Sequence, residues 1–239
     1  MASFFNPTAA APYPLSRSKV ELFLDCPRCF YLDRRLGIAR IDNMAFTLNL
    51  AVDHLLKKEF DFFRSRNEPH PAMTMFGVDA VPYRHKDLNV WRDTRTGIRA
   101  LHSASNIEAF GLVDDVWQNT DGSLSIVDYK ATSTGAPIVL DGRDGYKRQL
   151  EFYQWLFRRN NFDVSDTAYL VFVNATRDRD MFDRSLEFVF SIHDYKGSDA
   201  WVEDALMGAK ECLMRDVAPP STDTCEWCIY RREAKAVEQ

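Results

Sequence analysis

The sequence predicts an α/β domain in which helices flank a mixed β-sheet. Three observations carry this. The hydrophobic period is helical up to about residue 66 and becomes two from Gly97 onward. The elements then run helix, helix, strands, helix, strands, helix, the order of a layered α/β or α+β domain. Finally, 239 residues with 46% hydrophobic content can bury one substantial core without disulfides.

Residues 1–15, rich in Ala and Pro, read as a flexible arm, and 16–239 as a single domain. Ser16 or Ser18 offers an N-cap for a first helix whose apolar positions are Val20, Leu22, Phe23, Phe30 and Tyr31. Pro27 lies inside it and predicts a kink or a restart. A second helix over about 46–66 places Leu48, Val52, Leu55, Leu56, Phe60 and Phe63 at helical spacing. Pro69, Pro71, Gly77 and Pro82 then punctuate an irregular stretch over 67–87. Alternation over 98–102, 107–118 and 124–131 reads as three strands, the last two joined by Asn119-Thr-Asp-Gly122 as a hairpin. A third helix over 146–160, strands over 167–174 and 186–192, and an amphipathic helix over 199–215 follow. The tail over 222–232 carries a second cysteine pair, and no internal repeat is present.

With 27% charged residues and 13% aromatics the chain is not of disordered composition. No apolar run approaches the roughly 20 residues of a membrane span, and the N-terminus has no basic n-region. A cytoplasmic protein is expected, in which five cysteines serve as thiols or metal ligands rather than disulfides. The formal charge of −5 leaves no global basic footprint, so any nucleic-acid chemistry must come from local residues.

The local chemistry is concentrated in Phe110-Gly-Leu-Val-Asp-Asp-Val-Trp117 and Leu124-Ser-Ile-Val-Asp-Tyr-Lys-Ala-Thr132. The hairpin brings Asp114 near Asp128 and Lys130, and period two puts Asp128 and Lys130 on one face. Two carboxylates supply the hard oxygen ligands Mg²⁺ takes, and an amine beside them can orient a water or offset charge on a phosphoryl oxygen. Taken alone, Asp114, Asp115 and Asp128 also read as solvated strand-end carboxylates, with Lys130 an edge residue. The placement of both carboxylates after Leu112-Val113 and Ile126-Val127, on core strands where charge is costly, favours the functional reading.

The segment resembles the PD-(D/E)XK nuclease superfamily, in particular the branch of RecB-type nuclease domains and the iron–sulfur exonucleases of CRISPR adaptation. Gly111-Leu-Val-Asp114, Asp128-Tyr-Lys130, Gln149-Leu-Glu-Phe-Tyr153 and the N-terminal Cys26-Pro-Arg-Cys-Phe-Tyr31 carry the resemblance, which extends over about 16–232. It implies a restriction-endonuclease-like core with a central mixed sheet. It further implies that Asp114, Asp128 and the Tyr129 carbonyl hold Mg²⁺ or Mn²⁺ and that Lys130 assists the water. His54 stands as the fourth ligand, with Leu50 where the family has glycine and Glu59 as the fallback carboxylate. Gln149 and Tyr153, one helical turn apart, would contact the DNA strand or position Lys130. Lys147, Arg148, Arg158 and Arg159 add positive charge nearby.

Cys26-x-x-Cys29 and Cys225-x-x-Cys228 have metal-ligand spacing and would tie the N- and C-terminal segments together. The resemblance implies a [4Fe–4S] cluster, whereas the two-plus-two spacing suits Zn²⁺. Cys212 reads as a buried thiol. The expected function is a metal-dependent DNA nuclease, exonuclease-like, with DNA as partner, no membrane, and a helicase or a recombination, repair or defence protein as a further partner. Two other readings use the same fold: a nucleic-acid-binding module that does not cut, and a redox-sensing cluster protein.

Overall fold

The computed structural model describes residues 4–41 and 47–238. In chain order the elements begin with β1 (Tyr13–Ser16), α1 (Arg17–Asp25), α2 (Pro27–Leu36), α3 (Thr47–Arg66), α4 (Pro71–Met75), β2 (Ala80–Pro82) and α5 (Leu88–Arg92). They continue with β3 (Ile98–His102), β4 (Ile107–Gly111), β5 (Asp115–Asn119), β6 (Leu124–Thr132), α6 (Asp144–Arg159), β7 (Thr167–Ala175), β8 (Phe188–Lys196), α7 (Trp201–Met214) and α8 (Glu226–Val237). Where the sequence suggested one domain over 16–239, the chain divides into two compact units. One is Met1–Met44, Arg99–Gly111 and Ala200–Gln239; the other is Ala45–Ile98 and Leu112–Asp199. Among the described residues no helix is long and apolar enough to cross a membrane.

The first unit holds a three-stranded sheet in the order β1-β4-β3, with β1 parallel to β4. The expected arm is therefore ordered at its end: Tyr13 pairs with Ile107 and Ser16 with Phe110. Ser16 precedes α1 in extended conformation but makes no side-chain cap. Pro27 splits the predicted first helix as expected, because its ring occupies N1 of α2 while Cys26 stays extended between the two helices. Gly37, at φ 74°, ends α2 in the left-handed conformation glycine adopts without strain. Leu15, Val20, Phe30, Ile107, Val202, Leu206 and Leu213 make this unit's core. Cys212 is buried, and burial pushes its thiol up to about 11, the behaviour of an inert core thiol.

In the second unit five strands order β2-β5-β6-β7-β8, antiparallel except for the parallel pair β6/β7, which α6 connects. The sheet is thus mixed, as predicted. Alternation along β6 and β7 sends Val127, Tyr129, Val171 and Val173 into the core built by Leu56, Phe60, Met73 and Trp117. Asp128, Lys130, Leu170 and Phe172 alternate with them and take the opposite face. The segment read as one strand over 107–118 is broken. Chain 112–114 separates β4, in the three-stranded sheet, from β5, in the five-stranded one. Helix α3 begins at Thr47, and Phe46 lies outside the described residues.

Candidate active site

The hairpin β5/β6 forms in the register Asp115↔Val127, Val116↔Ile126, Trp117↔Ser125. Its turn closes through Gly122 N–H to the Asn119 carbonyl at 2.9 Å, with Gly122 at φ 88°. This register puts Asp114, the residue before β5, beside the middle of β6, where the Tyr129 N–H donates to Asp114 Oδ2 at 2.9 Å. The Asp114 carboxylate is therefore held one residue from Asp128.

On the α6 face Asp128 and Lys130 sit side by side, and the Lys130 ammonium contacts Asp128 Oδ2. Gln149, on the second turn of α6, joins them: its Nε2 donates to Asp128 Oδ1 at 2.6 Å, and its Oε1 accepts from Lys130 Nζ at 3.3 Å. The same Gln149 Nε2 lies 3.3 Å from the Tyr153 hydroxyl, and Tyr146 places its ring 4.7 Å from Lys130 Nζ. Four of the expected residues, Asp128, Lys130, Gln149 and Tyr153, form one hydrogen-bonded set, and the Tyr129 amide links Asp114 to it. Asp128 is 2% exposed and Asp114 22%, so the set is buried at its base and open at Asp114.

Helix α3 contributes a cation that the sequence motifs do not mark. Lys57 Nζ lies 2.9 Å from Asp114 Oδ1 and 2.7 Å from Asp53 Oδ2. Burial works against its charge, yet Asp114 and Asp53 raise its pKa above the ordinary lysine value. The i,i+4 spacing of Asp53 and Lys57 is the one signal for it in the sequence. His54, next in sequence to Asp53 and about 100° further round the helix, is exposed. Glu59 is exposed too, and its Oε1 pairs with His70 Nε2 at 2.9 Å. Of the cations on α6, Arg158 is tied to Asp166 and Asp199, each at 2.8 Å, and Lys147 to Asp144 at 3.4 Å.

Asp115 turns away from this site and is fully buried. Its Oδ2 accepts from the Tyr129 hydroxyl at 2.6 Å; its Oδ1 takes the Val116 N–H at 2.8 Å, Arg92 Nη2 at 3.2 Å and Arg64 Nη2. Burial, then the Asp115 charge, pushes the Tyr129 hydroxyl well above its usual range, so it donates to Asp115 rather than ionising. Arg92 also donates from Nε to the Asp114 carbonyl at 2.8 Å. A network in the core thereby fixes the backbone of a half-buried site residue.

The sequence model of the PD-(D/E)XK nuclease superfamily matches residues 47–232. The chain belongs to the PD-(D/E)XK nuclease superfamily. Members of the PD-(D/E)XK superfamily are generally nucleases, and they use divalent metals. Among solved structures, the crystal structure of SSO0001 is similar at 15% identity and a TM-score of 0.43, over 94% of this chain and 86% of that one. No curated protein matches the chain. The residues present fit a divalent cation. Asp114, just before β5, and Asp128, on β6, are hard oxygen donors, and the Lys57 ammonium already shows Asp114 accepting positive charge.

Both cysteine pairs lie in the first unit. Cys26 and Cys225 stand just before α2 and α8, and Cys29 and Cys228 lie on those helices, so two helix starts face each other through four buried thiols. The Sγ separations are 3.5 Å for Cys29–Cys228, 3.6 Å for Cys29–Cys225 and 3.9 Å for Cys26–Cys228, and all four sulfurs lie within 4.8 Å of one another. Burial opposes the Cys26 thiolate, but the N–H groups of Cys29 and Thr222 and the neighbouring thiols lower it to about 6. Burial, then the thiols of Cys29, Cys225 and Cys26, push Cys228 up to about 12. To offset the like charge that neighbouring thiolates bring, a bound cation would supply positive charge. Arg40 Nη2, 3.3 Å from Cys225 Sγ, supplies part of that charge.

Proposed function

We propose that the chain is a metal-dependent deoxyribonuclease of exonuclease type. The observation that carries this is the convergence of Asp114, Asp128, Lys130 and Gln149 through the hydrogen bonds around Asp128 and the Tyr129 amide. A bound Mg²⁺ or Mn²⁺ supplies charge stabilisation at a phosphoryl oxygen and makes water a better nucleophile. Asp114 and Asp128 are the side chains that would hold it, with the Tyr129 carbonyl carried over from the family resemblance. Lys130, steadied by Asp128 and by Gln149 Oε1, presents an ammonium where an attacking water or a developing phosphate charge needs one. Gln149 orients both Lys130 and Asp128, and Tyr153 buttresses Gln149. The exonucleolytic form is supported by resemblance to the RecB-type branch.

End-labelled single- and double-stranded DNA, incubated with Mg²⁺ or Mn²⁺, tests this. Wild type should shorten the label progressively, while Asp128→Ala and Lys130→Ala should lose at least about a hundredfold in rate, the scale of losing a preorganised charge-stabilising group. Folded variants with full activity would sink the reading.

For the cysteine centre, the sulfur separations support Zn²⁺. Thiolates 2.3 Å from one tetrahedral ion stand about 3.8 Å apart, close to the 3.5–3.9 Å of three of the six sulfur pairs, with all six within 4.8 Å. A [4Fe–4S] cluster, where each thiolate caps a different iron, spreads its sulfurs wider. One zinc per chain and a colourless protein are expected. A broad visible absorption with about four irons per chain would instead place the iron–sulfur cluster there.

A further inference from the structure

Helix α8 carries Cys228, Arg231, Arg232 and Lys235 at i, i+3, i+4 and i+7, which is a single stripe. The cysteine ligand face therefore continues directly as a cationic face. Its acidic residues Glu226 and Glu233 fall about 140–160° away at 100° per residue. Across from the stripe, Arg28 on α2 is held by a bond from Nη1 to the Pro219 carbonyl at 3.2 Å. Together Arg28, Arg231, Arg232 and Lys235 line one groove of about 480 Å³, with Cys228 and Ser221 among its other walls.

The pattern has no internal explanation. Like charges at i,i+3 and i,i+4 weaken a helix, and the three on α8 repel one another. Among the described residues none of the four cations pairs with a carboxylate, in a chain that carries 35 acidic residues against 30 basic ones. Three of the four are arginines, whose planar forks suit phosphate oxygens. From Arg231 to Lys235 the stripe rises about 6 Å at 1.5 Å per residue. That is on the order of two nucleotides of one strand at about 3.4 Å each.

We propose that this groove binds the phosphodiester backbone of a DNA strand, as a binding site separate from the residues that cut. The choice of nucleic acid over another polyanion rests on the nuclease reading above. The cysteine centre then has a second consequence: by fixing α2 against α8 it holds Arg28 opposite the α8 stripe.

The test is fluorescence anisotropy of the full, metal-replete chain with a fluorescein-labelled 20-nucleotide single strand and its duplex, without added Mg²⁺ or Mn²⁺, over a salt series. The triple variant Arg231→Gln/Arg232→Gln/Lys235→Gln should bind at least about tenfold more weakly at low salt. Its log–log salt slope should be shallower by about two to three, at about 0.7–0.9 for each phosphate no longer neutralised. A polyglutamate of equal charge should bind the wild type more weakly than the DNA does. A slope unchanged from wild type, or polyglutamate held as tightly as DNA, overturns the proposal. If the triple variant loses its fold or its metal, Arg28→Gln decides from the opposite wall, with a slope reduced by about one expected and no change refuting. Cleavage by the wild type is scored separately. DNA cut with an unchanged slope removes the groove alone, and a reduced slope without any cutting removes the nuclease reading alone.

Discussion

Replacing Asp115 by Asn removes one charge and almost no volume from the centre of the second unit. Arg64 and Arg92, whose side chains are only 7% and 10% exposed, both converge on the fully buried Asp115. After substitution the two guanidiniums keep Asp61, which bonds Arg92 Nη1 at 2.9 Å and Arg64 Nε at 3.0 Å. Removing one partner from a buried ion pair costs about 3–5 kcal/mol because the remaining charge stays desolvated. With Asp61 still shared, the low end applies, near 3 kcal/mol. At about 2–4 °C per kcal/mol for a chain of this size, the midpoint should fall by about 6–12 °C. Trp117, buried in the same unit and stacked 5.6 Å from Phe60, reports the transition by fluorescence in urea. The Arg92 bond to the Asp114 carbonyl adds a functional arm, since a loosened Arg92 frees that backbone and should weaken Mn²⁺ binding measured by calorimetry. A stability loss under about 1 kcal/mol would show that Asp61 and solvent satisfy both arginines, and the reasoning would fail.

Other outcomes follow from the same interactions. Lys57→Met removes the ammonium that bridges Asp53 and Asp114, so the site gains net negative charge and should bind Mn²⁺ about tenfold more tightly by calorimetry; weaker binding would make Lys57 a support rather than a competitor. Burial raises the Asp33 carboxyl, but Lys19 and Arg34 outweigh it and hold the carboxyl below the ordinary value. Its stabilising effect is therefore complete above pH of about 4 and lost as pH falls toward the lowered folded value, so wild type should lose stability more steeply there than Asp33→Asn; parallel acid-unfolding curves would refute this. With the four thiols holding a metal as proposed, Cys29→Ser or a chelator should release it and lower the melting of the first unit; retained metal with unchanged melting would contradict the four-cysteine centre.

What is legible in the sequence is what repeats locally. Asp128 and Lys130 share a face because a strand alternates, and Gln149 and Tyr153 share one because four residues make about one helical turn. The cysteine pairs are legible because x-x spacing is itself ligand geometry. What escapes depends on distant partners. Tyr13–Ser16 is flanked and interrupted by proline and looks like an arm until β4, over ninety residues later, offers it a parallel edge. The break at 112–114 is hard to read because Leu112 and Val113 carry the apolar pattern of 107–110 toward Val116 and Trp117, and only the two sheets that β4 and β5 join reveal it. Lys57 escapes because the family resemblance marks His54 on that helix instead. Its role appears once α3 is laid against the start of β5.

The adjacent aspartates at 114 and 115 show how the site and the core are built from one motif. Successive residues entering a strand point to opposite sides, so one carboxylate of the pair is committed to the interior whatever the other does. A lone buried carboxylate is costly, and here two arginines, a tyrosine hydroxyl and a backbone N–H satisfy it. One of those arginines reaches the Asp114 carbonyl, and the same Tyr129 that anchors Asp115 through its hydroxyl holds Asp114 through its amide. Arg92 and Tyr129 thus set the position of the half-buried Asp114 from two directions, at its carbonyl and at Oδ2, while Oδ1 meets Lys57. Asp114 is in this way preorganised by its neighbour. Substitutions at Asp115 should accordingly act on ion affinity through Asp114 even where the fold survives.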